Sequence, residues 1–235
     1  MSLFSWLKGW GVSDPPARPS RPALGLTSLE ARDTPAALYS FDTGSGALVV
    51  TFDSNVGTGQ NAQIQDGEVP LNGSQQRVVF LNGKRTDVPT QLVKSITVIG
   101  NDFDNGIDLT EVSTRAFVGL DEKVLLMGGG GKDVIRGSQF SDEIHGGAGD
   151  DRLIGRDGND RMFGEAGVDR LWGQDGKDTL DGGKGDDFLY GDEKNDTLRG
   201  GGGADRFDGG PGGADIALDF HRREGDVLLK TTERG

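Results

Sequence analysis

Apolar residues along this chain follow three different patterns. Residues 1–40 hold scattered apolar positions interrupted by DPPARPSRP (14–22), a Pro/Arg/Ser run with too little apolar surface to order itself. This stretch is expected to be a disordered tail. Residues 41–127 change character. ALVVTF (47–52), RVVFL (77–81) and SITVIG (95–100) are β-branched and aromatic runs separated by DG and NG dipeptides, which predicts strands and tight turns. From Gly128 to Asp208 one apolar residue returns every nine positions: Ile135, Ile144, Leu153, Met162, Leu171, Leu180, Leu189, Leu198 and Phe207.

A fixed period of this kind marks a repeat architecture. The nine units are GGGGKDVIR, GSQFSDEIH, GGAGDDRLI, GRDGNDRMF, GEAGVDRLW, GQDGKDTLD, GGKGDDFLY, GDEKNDTLR and GGGGADRFD. Position 1 is always glycine and position 6 always aspartate; position 4 is glycine except at Phe140 and Lys194. Each unit reads as six turn residues and a three-residue strand, with position 8 inward and positions 7 and 9 outward. One unit buries a single side chain and cannot stand alone, whereas stacked units form a continuous apolar rod. Just before the block, NDFDNGIDL and GLDEKVLLM look like eroded units with Ile107 and Leu126 inward. Asp102, Asp104 and Asp108 do not make an EF-hand loop, because Ile107 stands where its glycine is required.

If two units make one coil, residues 18 apart become neighbours and the aspartates fall into two files. Asp133, Asp151, Asp169, Asp187 and Asp205 form the first; Asp142, Asp160, Asp178 and Asp196 form the second. Carboxylates about 5 Å apart repel by roughly 3 kcal/mol at an effective dielectric of 20. Such files call for a cation between their members, and carboxylate and carbonyl oxygens in a flexible loop favour calcium.

Composition sharpens this picture. The chain carries a formal net charge of −13, and residues 128–208 hold 19 acidic against 11 basic residues. That excludes a general affinity for nucleic acid or an anionic membrane surface. With no cysteine there is neither a disulfide nor thiol chemistry. No stretch has the length and apolarity of a membrane span. MSLFSWLKGWG lacks the uninterrupted apolar run of a cleavable secretory signal, because Lys8 breaks it.

The units are similar to the G-G-x-G-x-D-x-U-x nonapeptides of repeats-in-toxin (RTX) proteins, the hemolysin-type calcium-binding region. The resemblance implies an all-β, right-handed parallel β-roll over 128–208. It would be preceded by a small β-rich lead-in (41–127) and closed by a capping segment (209–235). It also implies calcium held between successive turns. The ligands would be the nine file aspartates and turn carbonyls around Gly129, Gly131, Gly147, Gly149, Gly167, Gly183, Gly185, Gly201 and Gly203. Five and four aspartates leave four plus three gaps, hence up to about seven ions. Sites at the Asp142–Asp160 and Asp178–Asp196 gaps are expected to be weaker, since Phe140 and Lys194 replace glycine there. In the closing segment the phase slips by one at Gly213, which puts Asp215 out of register as a ligand.

Catalytic constellations are missing from the sequence. Two histidines, His145 and His221, cannot supply HExxH, and neither a G-x-S-x-G elbow nor P-loop spacing occurs. His145 is expected to be outward and solvated. The sequence therefore predicts a noncatalytic calcium-binding module, secreted or on the cell surface, that folds when calcium binds. The alternative is a small hydrolase or polysaccharide-acting enzyme with its site in 41–127. Ile154, Trp172 and Tyr190, 18 apart at position 9, predict either a stiffening ladder or a face for a protein or glycan partner.

Overall fold

In a computed structural model, the structure describes residues 37–52, 60–71, 74–120, 124–211, 214–220, 225–229 and 231–232. The tail expected over 1–40 lies outside the described residues as far as residue 36. Its last four residues belong to the first strand, where Ala37 and Tyr39 turn inward and are buried.

The strand-rich lead-in comprises β1 (Ala37–Asp42), β2 (Ala47–Phe52), β3 (Asn61–Leu71), β4 (Ser74–Leu81), β5 (Lys84–Pro89), β6 (Ser95–Ile99) and β7 (Gly106–Asp108). A single 3-10 turn at Thr90–Leu92 joins β5 to β6. The repeat block follows as β8 (Val124–Gly130), β9 (Val134–Arg136), β10 (Asp142–Ala148), β11 (Arg152–Asp157), β12 (Arg161–Ala166), β13 (Arg170–Asp175), β14 (Thr179–Lys184), β15 (Phe188–Glu193), β16 (Thr197–Gly202) and β17 (Arg206–Asp208). Four two-residue strands close the chain: β18 (Gly210–Pro211), β19 (Ile216–Ala217), β20 (Val227–Leu228) and β21 (Thr231–Thr232).

Odd and even repeat strands separate into two sheets, as a two-unit coil requires. One sheet runs β1-β2-β6-β8-β10-β12-β14-β16-β19 and the other β20-β17-β15-β13-β11-β9-β7-β3-β4-β5. Within the repeats the pairing is parallel and the register is 18, for example Leu153 beside Leu171 and Met162 beside Leu180. The chain is thus a parallel β-solenoid. All nine position-8 side chains lie between the sheets, none more than 2 % exposed.

Two features depart from the sequence reading. Central repeat strands span six residues rather than three, as in RLIGRD and RLWGQD. Position 1 of the following unit continues the ladder, because its glycine is a second inward position that needs no side-chain volume. The turn shrinks to positions 4–6. The lead-in, moreover, is continuous with the roll. Ile107 pairs with Ile135 and Ile96 with Val124, each 28 residues apart, and Ala47 pairs with Ser95 across 48. Insertions at 109–120 and in the β3–β5 meander account for the longer spacings. The first insertion packs Leu109, Val112, Ala116, Phe117 and Leu120 into the same core. Phe140 leans on that core, which explains a large residue where seven of the nine turns have glycine.

The closing segment adds a last rung to each sheet, β19 on β16 and β20 on β17. Phe220 meets Phe207 edge-on at 6.0 Å, and the Asp219 carboxylate accepts the backbone N–H groups of Gly200 (2.9 Å) and Gly201 (3.0 Å). On the outside of the first sheet His145 stacks on Phe163 at 4.8 Å, with Nδ1 3.0 Å from Glu165 Oε1. It is therefore outward, as expected, but engaged.

Candidate metal centre

Each repeat turn brings its position-6 aspartate inward, between the ends of the two sheets. All nine are buried, none more than 3 % exposed. Buried carboxylates need partners, and eight of the nine find one in the neighbouring coil. The backbone N–H of Asp133 donates to Asp151 Oδ1 (2.8 Å), Asp151 to Asp169 (2.8 Å), Asp169 to Asp187 (2.8 Å) and Asp187 to Asp205 (3.0 Å). The second file repeats this from Asp142 to Asp160 (2.8 Å), Asp160 to Asp178 (2.8 Å) and Asp178 to Asp196 (2.9 Å). Both predicted files exist, with successive carboxylates on adjacent rungs.

The other oxygen is left over. Oδ2 of Asp133, Asp151, Asp169 and Asp187 in the first file, and of Asp160, Asp178 and Asp196 in the second, is buried without a hydrogen-bond partner. Each faces the position-1 glycine of its own unit. A Cβ on Gly164 would lie 2.4 Å from Asp169 Oδ2 and 2.6 Å from the Gly182 carbonyl oxygen; on Gly128, 2.1 Å from Asp133 Oδ2 and 2.6 Å from the Gly146 oxygen. Glycine at position 1 thus keeps open a cradle where a carboxylate oxygen and the next coil's carbonyl converge. Among the described residues no group of three or more His, Cys, Asp or Glu side chains converges. A cation in these files must therefore draw much of its coordination from backbone carbonyls, which suits the hard, many-oxygen preference of calcium.

All nine glycines singled out at positions 2 and 4 have positive φ, from 98° at Gly201 to 139° at Gly203. Carbonyls stack here too, since a Cβ on Gly149 would lie 1.7 Å from the Gly131 oxygen and on Gly185 1.7 Å from the Gly167 oxygen. At four of the five non-glycine residues at position 2 the backbone keeps the same hand, at Arg156 (87°), Glu165 (75°), Gln174 (74°) and Asp192 (71°), the exception being Ser138. Lys194 at position 4 does likewise (79°). Such strain in L-residues is sustained only by a surrounding lattice of bonds.

Several site residues escaped the sequence pattern. The Asp196 N–H donates to Asp215 Oδ1 (2.9 Å) and the Asp205 N–H to Asp226 Oδ1 (3.0 Å). Asp215 extends the second file despite the slipped phase, and Gly209 faces its Oδ2 as the position-1 glycines do. At the other end the Asn105 N–H donates to Asp133 Oδ1 (2.7 Å), so an amide begins the first file. Asp150, which the repeat leaves at a variable position, accepts the Val168 N–H (3.0 Å) and holds Lys132 Nζ at 2.6 Å. Asp186 does the same for Ala204 N–H (2.8 Å) and Asn159 for Lys177 N–H (2.9 Å). Position 5 is a second polar ladder; alternation of Asp, Asn or Ser with other residues every 18 was the available signal.

The model of the RTX calcium-binding nonapeptide repeat (4 copies) matches residues 127–162, 154–189 and 181–215. Residues 127–215 are RTX calcium-binding repeats. No curated protein and no solved structure matches the chain.

The RTX files are electrostatically unfavourable when bare. Burial pushes the carboxyls of Asp133, Asp142, Asp151, Asp169, Asp187 and Asp196 up to about 7, and that of Asp160 to about 8. Asp178 reaches only about 6: burial raises it, while the Asp160 N–H bond and the Lys194 charge lower it. These folded values lie above the ordinary 3.8. Protonation therefore favours the metal-free roll, fully below about pH 4, and that contribution is lost as pH rises through 6–8. Calcium competes with the same protons. Its apparent affinity should rise by at least tenfold between pH 6 and pH 8, with protons released into weakly buffered solution on binding; calorimetry in two buffers of different ionisation enthalpy measures both.

The RTX turns are also unequal. Asp142 is satisfied inside its own turn, its oxygens accepting the Ser138 N–H (2.6 Å) and Ser138 Oγ–H (2.8 Å). It is absent from the set of orphaned carboxylates, in keeping with a weaker Asp142–Asp160 gap. Asp151→Ala is expected to lower calcium affinity several-fold more than Asp142→Ala, read by calcium titration of the two variants; the reverse order would sink the two-file assignment.

Proposed function

We propose that Asp133, Asp142, Asp151, Asp160, Asp169, Asp178, Asp187, Asp196 and Asp205, joined by Asp215, line the calcium sites of a folding switch. The turn carbonyls around Gly129, Gly131, Gly147, Gly149, Gly167, Gly183, Gly185, Gly201 and Gly203 complete them. The single observation that carries this reading is the row of buried, unpartnered Oδ2 atoms, four in the first file and three in the second. Burying a carboxylate oxygen unpaired costs several kcal/mol, and one cation per gap removes that cost along a whole file. Asp142 contributes to the weakest site because Ser138 already saturates it. The proposed count is about seven ions in the gaps between the nine repeat aspartates, with one further gap where Asp215 follows Asp196.

The protein works outside the cytosol, where calcium is high enough to fill sites of the millimolar-to-submillimolar class. It serves there as a noncatalytic surface, matrix or binding module. Among the described residues no helix is long and apolar enough to cross a membrane. Polar groups of the lead-in are engaged in holding strands together, as where Arg77 bridges Asp66 and Glu68 and Thr86 Oγ1 donates to the Val79 carbonyl (2.7 Å). The docking surface is the outer face of the second sheet, around Ile154, Trp172 and Tyr190. Equilibrium dialysis of the full chain against calcium tests the core of the proposal. About seven ions per chain are expected, and a stoichiometry of two or fewer would overturn it.

A further inference from the structure

We propose that the outer face of the second sheet is a self-complementary interface that pairs this chain with a second copy of itself. The proposal rests on the calcium-folded roll above and names the partner of its exposed face.

Charge is ordered along single strands of this sheet. β11 starts at Arg152 and ends at Asp157; β13 starts at Arg170 and ends at Asp175. Parallel register sets Arg152 beside Arg170 and Asp157 beside Asp175. Like charges on neighbouring parallel strands, about 4.8 Å apart, repel. Glu193 continues the acidic row from β15, and the row lines a shallow cleft of about 380 Å³ that also includes Asp192. Among the described residues neither Arg152 nor Arg170 makes an ion pair within 4.0 Å, although the Arg170 charge helps to lower the Asp150 carboxyl. The two rows cannot neutralise each other within one copy, because five residues of strand, about 16 Å, separate them.

Between the rows lies an aromatic strip. Trp172 and Tyr190 stack with centroids 5.5 Å apart and planes 5° from parallel. The Arg152 guanidinium sits 4.7 Å over Trp172 and that of Arg170 5.0 Å over Phe188. Trp172 is thus flanked by Arg152 and Tyr190, and Phe188 by Arg170 and Arg206, whose guanidinium lies 4.8 Å from its centroid. That disfavours a sugar ring, which needs an open aromatic face, and favours a flat, charge-ordered partner.

A two-fold axis parallel to the long axis of the roll supplies one. It lays β11 antiparallel on β11 and β13 on β13 of the other copy, with level preserved and strand direction reversed. Arg152 of each copy then meets Asp157 of the other, and Arg170 meets Asp175, with the aromatic strips between them. Such an isologous contact uses one patch twice. Three strands of six residues (β11, β13, β15) and two of three (β9, β17), at about 4.8 Å between strands and about 3.3 Å per residue, give about 380 Å² per copy. The pair covers about 760 Å², below the roughly 1,000 Å² of a stable specific interface, so only a weak, salt-sensitive dimer is expected.

The test is sedimentation velocity of the full chain in millimolar calcium, with circular dichroism on the same samples so that loss of folding and loss of pairing are separate results. The wild type should dimerise at high micromolar concentration and shift toward monomer in half-molar salt. A double variant Arg152→Glu/Arg170→Glu and a double variant Asp157→Arg/Asp175→Arg should each be monomeric, at least tenfold weaker in self-association. An equimolar mixture of the two should restore the dimer, because both sets of contacts become oppositely charged again. Trp172→Ala, which alters no acidic or basic group, should also be monomeric with its β signal kept. A folded wild type that stays monomeric, or a mixture that fails to re-form the dimer while both variants are folded, overturns the proposal. So does capture of an anionic polysaccharide by folded, monomeric wild type.

Discussion

Treated with EGTA at neutral pH, the chain should lose most of its β signal and recover it when calcium is restored. The physical reason lies in the ratio of inward apolar side chains to ordered residues. Each nine-residue unit buries one side chain, worth about 1.5–3 kcal/mol, while ordering nine residues costs several times as much. Backbone ladders narrow the gap, but seven orphaned carboxylate oxygens widen it again. At a site affinity of about 0.1 mM and about 1 mM calcium each ion contributes roughly 1.4 kcal/mol, so seven contribute about 10. That is the size of a whole domain's net stability. At sub-micromolar calcium the same sites contribute almost nothing. The measurement is far-ultraviolet circular dichroism through a cycle of EGTA and calcium, and equal β content in both states would refute calcium-driven folding. Acidifying the EGTA sample to about pH 5 should restore part of the signal, since protons then occupy carboxyls whose folded pKa values stand near 7.

The second large effect separates two adjacent glycines. Gly203→Ala should destabilise the calcium-loaded roll by at least about 3 kcal/mol, whereas Gly202→Ala should stay within about 0.5 kcal/mol. Gly203 has φ of 139°, and a Cβ there would lie 2.1 Å from the Gly185 carbonyl oxygen. The left-handed conformation alone costs an L-residue about 1–2 kcal/mol. The contact adds to this, because it is backbone against backbone and no side chain can swing away. Gly202, one residue earlier, has nothing within 4 Å of an added Cβ. Thermal melts in excess calcium should show a drop of about 6–12 °C for the first variant and almost none for the second. Equal shifts would mean that the close stacking of successive turns is not what the glycines serve.

The repeat made much of this site readable in advance. Asp169 was predictable as inward and 18 residues from Asp151 and Asp187 because position and partner both recur at the nine-residue period. The same holds for Leu171 between the sheets and for Gly149 and Gly185 at position 4, where an added Cβ would lie 1.7 Å from the carbonyl oxygen of the coil before. What escaped prediction lies where the period fails. Ile107 is inward as expected, but its pairing with Ile135, like that of Asn105 with Asp133, spans 28 residues because the segment 109–120 is inserted. Asp226 reaches Asp205 across 21 residues. Asp150 stands at a variable position of the repeat, and its partner, the Val168 N–H, is a backbone group that carries no sequence signature.

The sequence by itself determined the coil: its 18-residue register, its inward file of apolar residues, and two rows of carboxylates with the oxygen chemistry of calcium. These follow from local periodicity, which repeats whatever the rest of the chain does. Only the tertiary structure decided where the roll begins and ends, that position-1 glycines belong to the strands, and that in seven of the nine carboxylates one oxygen is used by the neighbouring coil while the other is left over. Those outcomes depend on which backbone N–H, carbonyl or insertion packs against a given side chain. Such distances through space are set by the stacking of whole coils and by no single unit.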